Sequence, residues 1–302
     1  PPVFSRISRH TRFGFKSRGL GDVYKRQDFN DDLATVDVLY DLAFLAMDLW
    51  HRGMRDFASL VVNLYMDRSQ EEDGYACLPY FIALRAAVRA HVLATQAQDA
   101  PSDDAADNEG EARSYYDLAL SLLKPQQARL IAIGGLSGSG KSTIAVNIAP
   151  PVGSPPGARI IESDRTRKAM FNVEPESCLP DSAYTPEVSD KVYSMMSERA
   201  ESLLASGSSV LVDAVFDMPD RRHMIESAAT RVSVPFDGIW LQADPDVLMH
   251  RVETRPKTAS DATGKVLEMQ LSRDPGSMNW NGVNTAGCLE ETVFETRRLL
   301  EV

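Results

Sequence analysis

The amino-acid sequence predicts an α/β fold in which a parallel five-stranded sheet is flanked by helices and preceded by an all-helical segment. From residue 126 onward, short apolar runs rich in β-branched residues alternate with helical stretches. This alternation is typical of βαβ units, which build parallel sheets with right-handed crossovers. Between residues 28 and 95, apolar residues recur at i, i+3 and i+4 spacing, which indicates amphipathic helices.

The length of the chain indicates how many domains to expect, and its net charge limits the classes of partner. A chain of 302 residues is long enough for about two domains, at roughly 150 residues per domain. Its net charge of −11 argues against duplex nucleic acid as a partner, because such binding depends on neutralising phosphates with Lys and Arg.

The length of the apolar runs and the spacing of the cysteines indicate in which cellular compartment the protein is expected. No uninterrupted apolar run approaches the roughly 18 residues of a membrane span, and the longest, 38–50, is broken by Asp41 and Asp48. The three cysteines are scattered without a C-x-x-C pair, which is typical of a reducing compartment. We therefore expect a cytoplasmic protein with no membrane partner.

The first 27 residues are basic, poor in apolar residues and without helical or strand periodicity. A secretory signal would need an apolar segment, which this stretch lacks, and its glycines weaken the alternative of a transit peptide. Its last residues, GDVYKRQ, resemble a read-through artefact of gene models from assembled reads. We interpret residues 1–27 as a non-native or disordered leader and expect the natural chain to begin differently.

Three helices are predicted after this leader. Asp37 is a suitable N-cap for the first helix, whose apolar stripe begins at Val38, and Gly53 is a suitable stop. The second helix is expected over 56–66 and the third over 80–95.

An acidic stretch, 96–113, separates these helices from the rest of the chain. It contains Pro and Gly and almost no large apolar residue, so it cannot bury enough surface to offset its ordering entropy. We predict a linker there, a connecting helix over 114–125, and a second domain over 126–302 that has its own core and folds alone.

Two segments resemble the distal helical part of aminoglycoside-phosphotransferase-like kinase domains, DFNDDLATVDVLYDLAFLAMDL and LPYFIALRAAVRAHV. In that family, an H-G-D-x-H catalytic loop and a metal-binding Asp lie upstream of such a stretch. Nothing in this sequence matches either motif, so no catalytic residue carries over. The resemblance implies that 28–95 is an inactive remnant, in which Asp37, Asp41 and Asp48 are caps and solvated positions.

A glycine-rich loop follows the first strand-like run, 129–133. The stretch from Gly135 to Ser142 fits G-x-x-x-x-G-K-[ST] in full, between a strand and a helix, as a phosphate-binding loop requires. The alternative is a chance glycine-rich turn. The candidate nucleotide-binding residues are Gly135, Leu136, Ser137, Gly138, Ser139, Gly140, Lys141, Ser142 and Thr143.

The residue types explain the chemistry expected of this loop. Glycines let backbone N–H groups approach the β-phosphate, and the helix N-terminus adds a favourable dipole. Lys141 is expected to reach the β- and γ-phosphates, and the Ser142 hydroxyl is expected to ligate Mg²⁺. The loop therefore predicts ATP and Mg²⁺ as cofactors.

Four further strand-like runs lie at 158–161, 209–212, 238–241 and 282–284. Ligands of such sheets bind at the carboxyl ends of the strands, so the polar residues that follow the runs are site candidates. Asp213 follows the second of these runs in the manner of an acid that holds Mg²⁺, and a simple turn residue is the alternative.

The ESDRTRKAMF segment resembles the S-D-x-x-R-K signature of small P-loop kinases of the zeta-toxin, gluconate-kinase and chloramphenicol-phosphotransferase type. In those families the Asp faces the acceptor hydroxyl and the Arg helps to bind substrate or phosphate, which implies catalytic roles for Asp164 and Arg167. A carboxylate near the γ-phosphate can orient a hydroxyl and accept its proton. The alternative is that Asp164 only caps the next helix.

Arg251 and Arg255, four residues apart on one helix face, lead into a stretch that resembles the lid of this kinase group, RPKTASDATGKVLEMQLSRDPGSMNW. Lid arginines stabilise charge on the transferring phosphoryl group, which implies nucleotide binding by Arg251 and a catalytic role for Arg255. The alternative for both is a solvated basic face. Asp261 and Thr263 match the S-D-A-T pattern of related lids without an assigned role.

Residues 128–302 as a whole resemble the C-terminal P-loop domain, of the AAA-family ATPase type, in bifunctional proteins with an aminoglycoside-phosphotransferase-like first half. This resemblance implies an ATP-dependent phosphotransferase that moves the γ-phosphate to a hydroxyl of a small molecule. One alternative is a kinase of nucleotides or polynucleotide ends, which the acidic composition and the lack of a basic, aromatic-lined stripe disfavour. The other is a regulatory module that binds or hydrolyses ATP.

Overall fold

The computed structural model describes residues 37–99, 101–254 and 259–302. Within these ranges, helices come first and are followed by a five-stranded sheet with further helices on its faces. The leader predicted at 1–27 and the candidate catalytic residue Arg255 lie outside the described residues.

The first part of the described chain consists of helices Val38–His51 (α1), Arg55–Ser69 (α2), Leu78–Asp99 (α3) and Ser102–Leu122 (α4). The three helices predicted between residues 37 and 95 are confirmed, and α2 and α3 extend beyond their predicted ends. The N-cap prediction is also confirmed, because the carboxylate of Asp37 accepts the N–H of Leu39 at 2.9 Å.

The linker predicted over 96–113 is wrong, since α3 runs to Asp99 and α4 begins at Ser102. Helix α4 packs along α3 and buries a stripe at helical spacing, made of Ala112, Tyr115, Ala119 and Leu122. Ala112 is the member of this stripe that lies within 96–113, so the predicted linker segment packs there through a small side chain. The acidic side chains of the helix from Asp104 to Asp117 are exposed.

One helical stretch of the described chain, Tyr75–Gln98, is long and apolar enough to cross a membrane by length and composition alone. The sequence-based expectation considered only uninterrupted runs, and Arg85 and Arg89 interrupt this one. The core helix of a soluble protein meets the same criterion. Leu78 and Ile82 of this stretch are fully buried in the core.

The sheet contains the five predicted strands, Leu130–Gly135 (β1), Arg159–Glu162 (β2), Val210–Asp213 (β3), Phe236–Gln242 (β4) and Asn281–Asn284 (β5). Their order is β2-β3-β1-β4-β5 and every pair is parallel, as predicted. All residues of the central strand β1 are buried, as expected of an apolar strand covered on both faces. The carboxyl ends of the strands lie at one edge, where Glu162 is in register with Asp213.

Seven helices of the described chain surround this sheet: Lys141–Ile148 (α5), Ser163–Met170 (α6), Pro186–Ala205 (α7), Pro219–Val232 (α8), Pro245–Thr254 (α9), Gly264–Leu271 (α10) and Leu289–Leu300 (α11). A 3₁₀ turn at Asp181–Tyr184 precedes α7. Alternate residues of β1 face opposite sides, so Ile131 and Ile133 pack with α5 and α11, while Leu130 and Ala132 pack with α7 and α8.

A buried cation attaches the first four helices to the edge strand β2. Arg159, which is fully buried, donates to the Asp67 carboxylate at 2.5 Å and to the Glu72 carboxylate at 2.7 Å. Arg199 of α7 also donates to Glu72, at 2.7 Å. The two parts of the chain therefore share a charge network in which each acid compensates a guanidinium that water does not reach.

An amide and an apolar cluster complete this junction. Asn63 of α2 accepts the N–H of Ile160 at 2.8 Å and donates to the carbonyl of Ala158 at 3.3 Å. One buried apolar cluster extends from Leu39 in α1 to Leu130 in β1. The expectation that an acidic linker separates two cores is therefore wrong.

Candidate active site

The glycine-rich loop between β1 and α5 has a backbone that only glycine adopts without strain at two positions. Gly138 and Gly140 have φ values of 83° and 88°. A Cβ at Gly138 would also lie 2.6 Å from the carbonyl oxygen of Leu248, which is closer than atoms in contact can approach. Strand, loop and helix occur in the predicted order, so the alternative of a chance turn is wrong.

The loop brings Lys141 and Ser142 to the N-terminus of α5, at the carboxyl edge of the sheet. The Lys141 ammonium donates to the carbonyl of Leu136 at 3.1 Å, so it lies across the loop. The Ser142 hydroxyl donates to the Asp213 carboxylate at 2.5 Å. Ser142 and Asp213, both predicted from the sequence to bind Mg²⁺, are 71 positions apart in the chain and in direct contact in the fold.

Asp213 is a buried carboxyl at the end of β3. Burial raises its pKa, the nearby charge of Asp164 raises it further, and Lys141 and the Ser142 hydrogen bond oppose both. A buried carboxylate in this position gains from an additional cation.

The donor set at this position fits Mg²⁺. No group of three or more His, Cys, Asp and Glu side chains suited to a metal occurs in the part of the chain that the structure describes. Mg²⁺ does not need such a group, because it is usually held by one or two carboxylates together with substrate phosphates. The Ser142 hydroxyl and the Asp213 carboxylate supply oxygen ligands of that kind.

Glu162 is a site residue that the sequence analysis missed. It ends β2 directly beside Asp213 on the neighbouring strand. Burial and then the charge of Asp213 raise the pKa of Glu162 to about 7, against the effect of Arg165, which donates to it at 3.1 Å. The signal was present, because Glu162 is the last residue of a strand in the same way as Asp213.

Asp164 and Arg167 occupy α6, which follows β2 directly. The N-cap of α6 is Glu162, so the alternative that Asp164 caps this helix is wrong. Asp164 is half-buried in the first turn, two residues after Glu162, and its charge raises the pKa of both Glu162 and Asp213. Arg167 is buried and donates to the carbonyl of Ala183 at 2.7 Å.

Arg251 lies on α9 and contacts the connection between β5 and α11. It donates to the carbonyl of Thr285 at 2.7 Å, so the alternative of a solvated basic face is wrong for this residue. Its role in nucleotide binding stays a prediction, as does the role of Arg255 outside the described residues.

The described part of the stretch predicted to be a lid contacts both α6 and the glycine-rich loop. Asp261 accepts the Tyr184 hydroxyl at 2.5 Å and the Lys168 ammonium at 3.1 Å, which anchors it to α6 and the 3₁₀ turn. Within helix α10, Gln270 is buried and its side-chain oxygen accepts the N–H of Ser137 in the loop at 2.9 Å. No local sequence signal predicts this second contact, which joins residues 133 positions apart.

A pocket of about 230 Å³ opens between the loop, the end of β4 and α10. Its walls are largely apolar and include Leu136 and Trp240. One end is polar, with Asp217, Gln270 and Arg273, and the Arg273 guanidinium donates to Asp217 at 2.7 Å. The pocket therefore adjoins the phosphate-binding loop and can accept an organic group with a polar end.

Sheet order, loop and helix together define a P-loop kinase-like α/β domain. Residues 130–274 match a family model described as "AAA domain".

Two curated relatives extend the similarity to the helical part. Uncharacterized proteins of Mycobacterium tuberculosis (strain H37Rv) and Mycobacterium bovis are each 30% identical over 271 residues, which cover 88% of this chain and 53% of theirs. The chain spans about half the length of the curated relatives it matches.

Solved structures with similar folds cover the sheet-containing part. A gluconokinase from Sinorhizobium meliloti 1021 is 25% identical with a TM-score of 0.41, over 59% of this chain and 94% of that one. A putative kinase from Chloroflexus aurantiacus is 20% identical with a TM-score of 0.45, over 58% of this chain and 97% of that one.

Proposed function

We propose that the chain is a cytoplasmic ATP-dependent kinase that transfers the γ-phosphate of ATP, assisted by Mg²⁺, to a hydroxyl of a small molecule. The observation that carries the proposal is the 2.5 Å contact of the Ser142 hydroxyl with Asp213, inside a phosphate-binding loop and close to Asp164. A loop that only bound nucleotide would not need the carboxylate of Asp164 in addition to the pair formed by Ser142 and Asp213.

Each residue has a role in this proposal. The loop N–H groups and Lys141 bind the β- and γ-phosphates, and the ammonium neutralises charge on the transferring group. Ser142 and Asp213 hold Mg²⁺, which when bound neutralises phosphate charge and orients the γ-phosphate. Asp164 orients the acceptor hydroxyl and accepts its proton. Most of the acceleration then comes from positioning and charge neutralisation.

Product analysis with γ-labelled ATP tests the proposal. The full chain is incubated with a panel of hydroxyl metabolites, nucleosides and oligonucleotides with free 5′ ends. Transfer of label to a small-molecule hydroxyl supports the kinase, and transfer to an oligonucleotide end would instead support the polynucleotide-kinase alternative. Slow release of labelled phosphate without any acceptor product would favour the regulatory module.

We further propose that residues 28–95, which contain α1, α2 and most of α3, are the remnant of an aminoglycoside-phosphotransferase-like domain with a supporting role. The sequence segments of α1 and α3 support this origin. The supporting role is favoured by the ion pairs of Arg159 with Asp67 and Glu72, because they hold the strand that leads to Asp164.

A further inference from the structure

Asp261 lies in the stretch predicted to be a lid, and its carboxylate accepts hydrogen bonds from three different places. The Lys168 ammonium of α6 donates to it at 3.1 Å, the N–H of Leu179 at 3.0 Å, and the hydroxyl of Tyr184 in the 3₁₀ turn at 2.5 Å. The S-D-A-T pattern singled out Asp261 without a role, and the proposed reaction does not use it. These contacts join the stretch to α6 and to the connection that follows α6.

Lys168 is the most deeply buried partner in this cluster. Only 1% of its side chain is exposed, and its ammonium also donates to the carbonyl of Pro175 at 2.8 Å. A buried ammonium is costly unless an opposite charge and hydrogen bonds compensate it. Burial opposes the ionisation of Asp261, but its three hydrogen bonds and the charge of Lys168 outweigh burial and lower the pKa of Asp261. The ion pair therefore fixes the end of the Lys168 side chain.

The position of Lys168 bears on that of Asp164. The two residues are four apart in α6, so they lie about one turn apart on the same face of the helix. A rotation of α6 that moves Lys168 away from Asp261 moves the Asp164 carboxylate in the same sense, because the helix moves as one body. A misplacement of about 1 Å at a reacting group can lower a rate by roughly 10²-fold.

We propose that Asp261 is a positioning residue for phosphoryl transfer, which fixes the carboxylate of Asp164 by holding Lys168 on the same face of α6. This inference rests on the proposed function, in which Asp164 orients the acceptor hydroxyl. Asp261 itself is not a catalytic residue, because it acts through Lys168.

Asp261 and Gln270 connect the same stretch to different parts of the site. Gln270 accepts the N–H of Ser137 in the phosphate-binding loop at 2.9 Å, whereas the hydrogen bonds of Asp261 lead to α6 and the connection after it. Loss of the Asp261 charge should therefore impair transfer and leave ATP binding largely unchanged.

The test uses variants of the full chain and the acceptor identified by label transfer. Asp261→Asn keeps the shape of the side chain but removes its charge. Glu268→Gln is the control, because it removes an exposed acid from the same stretch. Tyr184→Phe removes one hydrogen bond of Asp261 and leaves the ion pair with Lys168, so it provides the same test if Asp261→Asn does not fold.

In Asp261→Asn, we expect kcat to fall roughly 10- to 100-fold, the upper value being the loss from a misplacement of about 1 Å. The KM of ATP should stay within about twofold of the wild type. Tyr184→Phe should show a smaller fall of the same kind, and Glu268→Gln should match the wild type. An unchanged kcat in Asp261→Asn, or a KM of ATP that rises as much as kcat falls, would overturn the inference.

A double variant separates positioning from a general structural role. If Asp261 acts through Asp164, adding Asp261→Asn to Asp164→Asn should change the remaining transfer by less than about threefold, so the two losses do not add. A general structural defect would instead lower transfer by the same factor in both backgrounds, and that result would overturn the inference.

Amide hydrogen exchange decides the case in which no acceptor is found. That outcome would count against the proposed function, but the hold of Asp261 on α6 is measurable without transfer. Asp261→Asn should speed exchange at Leu179, whose N–H loses its charged acceptor, and also in the peptide that covers α6. Faster exchange at Leu179 alone would show that Asp261 holds only the connection, and it would overturn the inference.

Discussion

Lys141 provides the most direct test of the loop at the residue scale. Lys141→Ala removes the cation that lies across the loop and should lower phosphoryl transfer by roughly 10²- to 10³-fold, because charge on the γ-phosphate then lacks its partner. Affinity for the ATP analogue should also fall, while the melting temperature stays close to the wild type. Lys124→Ala, at an exposed position, serves as control. Unchanged turnover in Lys141→Ala would refute the loop as the active site.

Asp164 and Asp213 are expected to respond differently to the same substitution. Asp164→Asn keeps the shape of the side chain but cannot accept a proton, so transfer should fall roughly 10²- to 10⁴-fold at unchanged affinity for the analogue. Asp213→Asn should raise the Mg²⁺ concentration that activity requires, since an amide oxygen is a weaker ligand for a hard cation. Mg²⁺ and analogue titrations of both variants measure this, and reversed behaviour would exchange the two roles.

The predictable part of the site is the part that lies in local motifs. Lys141 and Ser142 belong to one short motif, and Asp164 follows a strand that is visible in the sequence. Glu162 was missed although it also ends a strand, because its position beside Asp213 depends on which strands are neighbours in the sheet. Gln270 could not be predicted, since its contact depends on how α10 packs on the loop.

At the scale of elements, a buried hydrogen bond between Gln270 and Ser137 couples helix α10 to the loop. Gln270→Leu should leave the Ser137 N–H buried without an acceptor, at a local cost of about 1–3 kcal/mol. We expect faster amide hydrogen exchange in the peptide that contains Ser137, at nearly unchanged global stability. Met269→Ala, at an exposed position on the same helix, should leave that exchange unaltered. Equal exchange in both variants would contradict the coupling.

The strands and the second half of α4, expected as a connecting helix over 114–125, were predictable, whereas the first half of α4 was not, for a physical reason. The strands are covered on both faces, so their sequences are continuous runs of β-branched and apolar residues. The first half of α4 covers its partner with the small side chain of Ala112, which composition alone does not distinguish from a linker. Packing against α3 therefore outweighs the low apolar content of the segment.

Glu72 should make the junction between α1–α4 and β2 sensitive to acid. Burial opposes its ionisation, but the hydrogen bond and charge of Arg199 and the charge of Arg159 outweigh burial and lower the pKa of Glu72. A lowered pKa means that the stabilisation is complete above the ordinary Glu value of about 4.3 and is lost as pH falls below it.

The advantage of the wild type over Glu72→Gln in melting temperature should therefore be largest near neutral pH and shrink toward about pH 3.5. At neutral pH we expect the free energy of unfolding to differ by roughly 1–3 kcal/mol between the two proteins, which is the cost of leaving a buried charged partner unsatisfied. Thermal melts across this pH range measure it, with the exposed Glu198→Gln as control. A difference that is independent of pH would show that Glu72 is not ionised in the folded chain.

At the scale of the whole molecule, the sequence suggested that residues 126–302 fold alone. We now expect a fragment that begins at Gln126 to be much less stable than the full chain. Removing α1–α4 takes Asp67 and Glu72 away from Arg159 and exposes the apolar surface of the shared cluster to water. Soluble yield, a cooperative melt and analogue binding report the outcome. A fragment as stable as the full chain would contradict the shared core.

The contact of Asn63 with β2 has a consequence for solubility. An edge strand exposes N–H and C=O groups that can pair with a strand of another molecule and start aggregation. Asn63 occupies two such groups, the N–H of Ile160 and the carbonyl of Ala158, as a neighbouring strand would. Because β2 ends the sheet, the helical part acts as a cap that prevents intermolecular strand addition beside the active site.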